Sequence, residues 1–199
     1  MVSNEVDLSR YRAVGFDRGA SALKEGLWLV VSLLLFRLCP FKFSALKRIA
    51  LRLFGARIGN SVVIKPDVRI TFPWKLEIGD YVWLGEGSWL LNLAPIMIES
   101  NACISQRGFL CAGSHDYKSP TFDLQVAPIT IQRGAWVGAC AWVGPGVLIG
   151  TNAVLTANSV ATTDLEPSGI YQGNPAQLIR HRQISPKDEG TQSDQRSIV

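Results

Sequence analysis

Residues 98 to 115 read Ile98-Glu-Ser-Asn-Ala-Cys103, Ile104-Ser-Gln-Arg-Gly-Phe109, Leu110-Cys-Ala-Gly-Ser-His115. After a gap from Asp116 to Thr130 the same beat resumes in phase as Ile131-Gln-Arg-Gly-Ala-Trp136, Val137-Gly-Ala-Cys-Ala-Trp142, Val143-Gly-Pro-Gly-Val-Leu148. An aliphatic residue opens each hexad and a small residue stands fifth. Neither the 3.6-residue period of a helix nor the two-residue period of a plain strand accounts for a beat of six. A short strand followed by a tight corner does. Because six is a multiple of two, the first and fifth residues face the same way and fill a narrow interior, and glycine in second place, as at Gly138, suits a tight corner. Three hexads then close one triangular coil of a parallel β-helix, with coils stacked at about 4.8 Å.

The spacing of the opening residues supports three hexads per coil. Ile58, Ile78 and Ile98 lie 20 apart, which is 18 plus an extra pair each time (Leu76-Glu77 and Ile96-Met97), whereas Ile131 and Ile149 lie 18 apart. Extra residues that recur at one corner preserve the phase. The reading is a prism over residues 58–166, with a loop inserted at 116–130 and roughly five coils in a length of about 24 Å. Sixth positions point outward and are often aromatic. In this frame Trp89, Phe109 and Trp142 fall in one column, an apolar stripe of the kind that marks an interface.

The remainder frames the prism. At 199 residues, 47% hydrophobic and 18% charged, the chain reads as one soluble domain with appendages. Residues 1–57 form a basic helical arm with ten Lys or Arg against four Asp or Glu. After an irregular stretch to residue 20, Ser21 caps a helix from Ala22 to Leu38, and a second helix runs from Ser44 to Phe54. Its expected inner face is Leu46, Ile49, Ala50, Leu53 and Phe54, with Lys47, Arg48 and Arg52 outside. The first helix is too short to span a bilayer, which takes about 20 apolar residues. Two readings of residues 21–54 stand side by side: a cap on the open prism or a packing element between subunits, and a peripheral contact with the anionic inner membrane. Beyond the prism, residues 167–184 carry a predicted short helix, with Asn174 as N-cap and Pro175 at its first position, and 185–199 read as a disordered tail. The first 19 residues lack the apolar core of a secretory signal, so the expected location is cytoplasmic.

Chemistry has few places to reside. Cys39, Cys103, Cys111 and Cys140 show no CxxC spacing and imply no disulfide framework. His181 lies beside the polar tail, where a solvated basic face explains it. His115 stands at an outward position at the root of a 15-residue loop, where function tends to lie. A neutral imidazole there can accept a proton from an attacking hydroxyl, or can simply anchor the loop; spacing alone leaves both open. A hydratase zinc needs three converging imidazoles and the chain has two in all. No Walker or Rossmann glycine pattern precedes the prism. The basic residues lack a nucleic-acid reading motif, so no nucleic-acid partner is expected.

Taken together, Ser114-His-Asp116, Pro128-Ile-Thr-Ile131, Trp136-Val-Gly138, Pro145-Gly146 and Gly173-Asn-Pro-Ala176 resemble the left-handed β-helix acetyltransferases of the galactoside and maltose type. The helical lead-in Leu53-Phe-Gly-Ala-Arg-Ile-Gly59 and Pro73-Trp-Lys-Leu76 are similar to the colanic-acid (exopolysaccharide) branch, over roughly residues 20–182. The resemblance implies an all-β fold, a left-handed parallel β-helix of hexapeptide repeats with N-terminal helices and a short C-terminal helix, assembled as a homotrimer. It implies acetyl-CoA as co-substrate, bound between neighbouring prisms, with no metal required, and a sugar or polysaccharide precursor as acceptor. His115 would be the general base. Trp136 would pack on the pantetheine arm, Ala139 would offer its N–H to the thioester, Ala157 and Thr162 would line the adenosyl end, and Arg180 would approach the phosphates. Positions that hold the sugar in galactoside enzymes are Gly85 and Leu93 here, which leaves Asn92, Glu86 and Asp116 as acceptor candidates. The expected activity is O-acetyl transfer to a sugar hydroxyl. N-acetylation of an amino sugar or small amine and a non-catalytic trimeric scaffold are the alternatives.

Overall fold

The computed structural model describes residues 5–13, 15–38 and 43–185. The expected tail, apart from Ser185, lies outside them, as does Cys39.

Strands of two or three residues, with one of five at the C-terminal end, stack in parallel on three faces. The first face holds Arg57–Ile58, Leu76–Ile78, Ile96–Ile98, Ile129–Ile131 and Leu148–Ile149. On the second lie Val63–Ile64, Trp83–Leu84, Cys103–Ile104, Trp136–Val137, Val154–Leu155 and Gly169–Gly173. The third holds Arg69–Ile70, Trp89–Leu91, Phe109–Cys111, Trp142–Val143 and Val160–Ala161. The predicted phase is met residue for residue. Ile58, Ile78, Ile98, Ile131 and Ile149 pair in sequence up the first face and are all buried. The extra pairs are absorbed where first-face strands lengthen to Leu76–Ile78 and Ile96–Ile98. On the third face Trp89, Phe109 and Trp142 are register partners, with the Trp89 and Phe109 rings stacked at 4.6 Å and 9°. The second face carries six parallel rungs rather than five.

Corners repeat as faithfully as strands. Between the second and third faces Asp67, Gly87, Arg107, Cys140 and Asn158 all adopt positive φ, from 53° to 67°. Their backbones bond coil to coil: Arg107 N–H donates to Glu86 O, Cys140 N–H to Gln106 O, and Asn158 N–H to Ala139 O, all at 2.8–2.9 Å. Coils approach so closely there that a Cβ on Gly138 would lie 2.6 Å from Ala157 N.

Both N-terminal helices sit on the first coil. Helix α1 (Ala22–Ser32) is capped by the Ser21 side chain accepting from Lys24 N–H, and continues as a π-helical stretch to Leu38. It buries Trp28, whose Nε1 donates to Ile70 O at 2.9 Å and whose ring meets Phe36 and Phe54. Helix α2 (Ser44–Leu53) meets the predicted facing at Ala50, which is buried, at Phe54, which packs on the core, and at Arg52, which is exposed, and corrects it elsewhere. Lys47 is only 1% exposed, whereas Leu53 is 78% exposed and Leu46 and Ile49 also face outward. The reason lies in the first coil, which has no coil beneath it and so presents strand-edge carbonyls without ladder partners. Lys47 Nζ donates to Lys65 O (3.0 Å) and Ile64 O (3.4 Å), Arg48 to Val62 O (3.2 Å), and Arg52 to Ile58 O and Gly59 O (2.7–3.0 Å). Satisfying those acceptors outweighs burying three aliphatic side chains.

The predicted C-terminal helix is also corrected. Gly169–Gly173 adds a parallel rung beside Val154–Leu155, and Ala176–His181 folds back on it antiparallel. Pro175 therefore sits in a hairpin turn, not at a helix start. Pairing with an existing strand edge satisfies this segment's backbone directly, and Tyr171 is buried beneath it with its hydroxyl accepting from Glu166 N–H at 3.0 Å.

Candidate functional site

The inserted loop leaves the third face through Gly113–His115, which pairs antiparallel with Leu124–Val126, His115 opposite Leu124. A small polar knot sets its tip. Ser119 and Thr121 hydroxyls both donate to the Asp123 carboxylate at 2.8 Å, and these bonds, Thr121's first, hold that carboxyl below its usual range. Asp116 Oδ1 accepts from Lys118 N–H at 2.9 Å, an Asx turn at the loop's root.

Within this frame His115 is half-buried, its ring stacked on Phe122 at 4.4 Å and 8°. Nδ1 lies 2.9 Å from Phe122 O. A carbonyl oxygen only accepts, so this bond puts the neutral ring's proton on Nδ1 and the lone pair on Nε2. The two roles open at the sequence level are thus compatible. One nitrogen anchors the loop and the other keeps the electrons a general base needs. Tyr11, from the arm, stands 5.9 Å from the imidazole, and the arm is tied to the loop by Asp7 N–H donating to Pro120 O at 2.8 Å.

The remaining candidates divide between two places. Glu86, Gln106, Ala139 and Ala157 stack in that order at the corner between the second and third faces, Glu86 and Ala157 exposed and Ala139 half-exposed. Among the described residues the Ala139 N–H has no intramolecular acceptor, a property it shares with Gln106 and Ala157 in the same column. Trp136 is 45% exposed on the second face, with Nε1 donating to Ser105 Oγ at 2.8 Å. Thr162 is exposed past the last third-face strand, and Arg180 is exposed on the hairpin opposite Ile170. His115 and Asp116 belong to the other edge of the third face, where the chain departs toward the first. One chain therefore does not bring His115 to the Ala139 corner. A groove of about 350 Å³ bounded by Trp74, Met97 and Thr130 includes none of these residues.

Asn92 is a correction. It is fully buried: Oδ1 accepts from Thr71 N–H (3.1 Å) and Phe72 N–H (2.9 Å), and Nδ2 donates to Phe72 O (2.5 Å). Three hydrogen bonds tie it to the Thr71–Phe72 turn and none of its surface is exposed, which removes it from the acceptor candidates. Sequence reasoning passed over Tyr11, Phe122 and Ser105. Ser105 was reachable, since it stacks between Gly85 and Gly138. Tyr11 lies in an aperiodic arm that gives no such signal. Burial raises the Cys103 and Cys111 thiols above their ordinary values, so neither is poised as a nucleophile. Among the described residues no three His, Cys, Asp or Glu side chains cluster as metal ligands.

A triangular β-helix of six-residue repeats, broken once by a loop rooted at a histidine, is the architecture of the left-handed hexapeptide-repeat acetyltransferases. A hexapeptide-repeat acetyltransferase of Vibrio cholerae, solved with acetyl coenzyme A, superposes with a TM-score of 0.72 at 24% identity, covering 87% of this chain and 96% of that one. In sequence, the chain is 41% identical over 176 residues to WcaF of Escherichia coli K12, a protein assigned as a colanic acid biosynthesis acetyltransferase; the match covers 88% of this chain and 97% of WcaF. A Dictyostelium discoideum protein assigned as an acetyltransferase is 34% identical over 137 residues, 67% of this chain and 72% of that one. No family model matches. The chain belongs to the WcaF-type colanic acid biosynthesis acetyltransferases.

Proposed function

We propose that this protein transfers the acetyl group of acetyl-CoA to a hydroxyl of a sugar in an exopolysaccharide or surface-polysaccharide precursor, working in the cytoplasm as a homotrimer. The observation that carries it is the His115 Nδ1 bond to Phe122 O, which leaves Nε2 able to take a proton. The sugar oxygen attacks the acetyl carbonyl carbon as its proton passes to Nε2. The oxyanion that forms is met by the Ala139 N–H. The C–S bond then breaks, and the departing thiolate recovers the proton from Nε2, giving the acetyl ester and free CoA thiol. Membership in an acetyltransferase family supports the donor, as does the acetyl coenzyme A complex of the Vibrio protein, which shares the fold.

The separation of His115 from the Ala139 corner across the third face supports a site completed between chains. In that arrangement His115 of one copy meets the Ala139–Ala157 column of the next, Trp136 lies along the pantetheine arm, and Thr162 and Arg180 serve the nucleotide end. Glu86 and Asp116 remain for the acceptor. The Trp89–Phe109–Trp142 stripe on that same face is the surface we assign to the contact between copies. An acceptor screen tests the reading: lipid-linked and nucleotide sugars are offered with acetyl-CoA, thiol release is followed, and the product is treated with hydroxylamine. A hydroxylamine-labile ester is expected. A stable amide moves the assignment to N-acetylation, and no turnover with any sugar leaves the scaffold.

A further inference from the structure

Helix α2 buries Lys47 with Ala50 and Leu51 against the prism and leaves an aliphatic stripe outside, and α1, which buries Trp28, leaves another. Leu23, Leu27, Val30 and Leu34 recur at i, i+4, i+7 and i+11 and are all exposed, on the side opposite the buried Trp28. Leu46, Ile49 and Leu53 form the matching stripe on α2 at i, i+3 and i+7. Seven aliphatic side chains in two regular stripes exceed the scattered apolar exposure common on soluble surfaces. Both helices sit at one end of the prism, because α2 covers carbonyls of residues 58 to 65, Trp28 Nε1 of α1 donates to Ile70 O, and Phe36 O in the π-helical stretch that follows accepts from Asp67 N–H.

Charge decides what would cover these stripes. From residue 26 to 66 the sequence has seven Lys or Arg and no Asp or Glu. Arg48 and Arg52, directly beneath the α2 stripe, donate to backbone carbonyls, and these bonds leave their positive charge in place. At the margins, Glu25 is paired with Arg18 and Asp67 with Arg37 and Arg69. A second copy of the same end would meet the patch with like charge, whereas an anionic lipid surface offers both an apolar layer and opposite charge. No helix among the described residues is long and apolar enough to cross a membrane, which leaves an in-plane contact.

We propose that the α1 and α2 stripes dock this end of the prism on the surface of an anionic lipid bilayer, inserting Leu23, Leu27, Val30, Leu34, Leu46, Ile49 and Leu53 to headgroup depth. Docking stands independently of the acetyl-transfer reading. If both hold, parallel prisms in a trimer present three such patches together, and avidity strengthens the contact.

Flotation of the full chain with vesicles, phosphatidylcholine alone against phosphatidylcholine with phosphatidylglycerol, tests it. Each cation near an anionic surface strengthens binding about fivefold, so partitioning should rise at least tenfold with the anionic lipid and fall as salt is added. A Leu27→Glu/Leu53→Glu variant, altered only at exposed positions, should lose at least tenfold in binding while its circular dichroism and thiol-release activity stay as in the parent. Leu23→Ser/Leu46→Ser serves as a second pair should the first fold poorly. No binding of the parent to anionic vesicles overturns the proposal. So does a variant whose assembly becomes smaller by light scattering, since the stripes would then be a contact between copies.

Discussion

Replacing His115 by Asn separates the anchoring role of this residue from its chemical one. An Asn amide reaches roughly the position of Nδ1 and can still donate to Phe122 O, but it has no lone pair in place of Nε2. What it loses structurally is the ring stack on Phe122, 4.4 Å away and nearly parallel, worth about 0.5–1.5 kcal/mol. For a chain of this size that lowers Tm by roughly 1–6 °C. What it loses chemically is general-base assistance, about 10² to 10⁴ in kcat, or about 2.7–5.4 kcal/mol of transition-state stabilisation. The two magnitudes differ enough to be distinguished. The assay is CoA release followed chromatographically at saturating acetyl-CoA and acceptor, alongside a melting curve. Expected is a folded protein with kcat reduced at least a hundredfold and KM for acetyl-CoA little changed. A variant within tenfold of the parent kcat, or one impaired only in KM, refutes the general-base role.

Further predictions concern the frame. Lys47→Met keeps the stem and removes the donor, leaving Ile64 O and Lys65 O without that bond; it should cost about 1–3 kcal/mol, read as a lower urea midpoint. Gly138→Ala puts a methyl 2.6 Å from Ala157 N, where only backbone can yield. It should destabilise by about 1–3 kcal/mol and weaken acetyl-CoA binding measured by calorimetry, because the Ala139 corner moves with it. In thiol labelling at pH 8 read by peptide mapping, exposed Cys140 should react well before Cys103 and Cys111. Burial raises those two thiols, so their thiolate fraction is small at pH 8 and keeps growing as pH climbs past the ordinary thiol range. Acetyl-CoA should slow Cys140 specifically, as its neighbour Ala139 lies at the proposed thioester corner.

The parts of the fold readable in advance are those set by local periodicity. A six-residue beat places Ile78, Ile98 and Ile131 inside and stacks Trp89, Phe109 and Trp142 outside whatever the rest of the chain does. The same beat made His115 conspicuous by ending at it. What escaped was set by partners distant in sequence. The α2 helix is amphipathic, and periodicity marks its two faces without saying which faces inward; the answer came from bare carbonyls on the first coil. Pro175 carries a helix-start signal, but an open strand edge at Gly169–Gly173 recruited the following residues. Asn92 looks like a polar ligand contact until the Thr71–Phe72 turn is seen to need all of its bonds. Nor could sequence indicate that His115 hands Nδ1 to Phe122 O, since that pairing depends on the loop's hairpin.

The most direct test of the central claim, an imidazole working on a thioester held at a neighbour's corner, is subunit mixing. His115→Asn chains and Ala139→Phe chains, each inactive alone, are co-expressed in equal amounts, and the mixed trimers are verified by native mass spectrometry. In a threefold ring every mixed trimer has one interface that joins an intact His115 to an intact Ala139 corner, so random assembly should restore about a quarter of parental activity. Mixed trimers that remain as inactive as either parent variant would contradict the account.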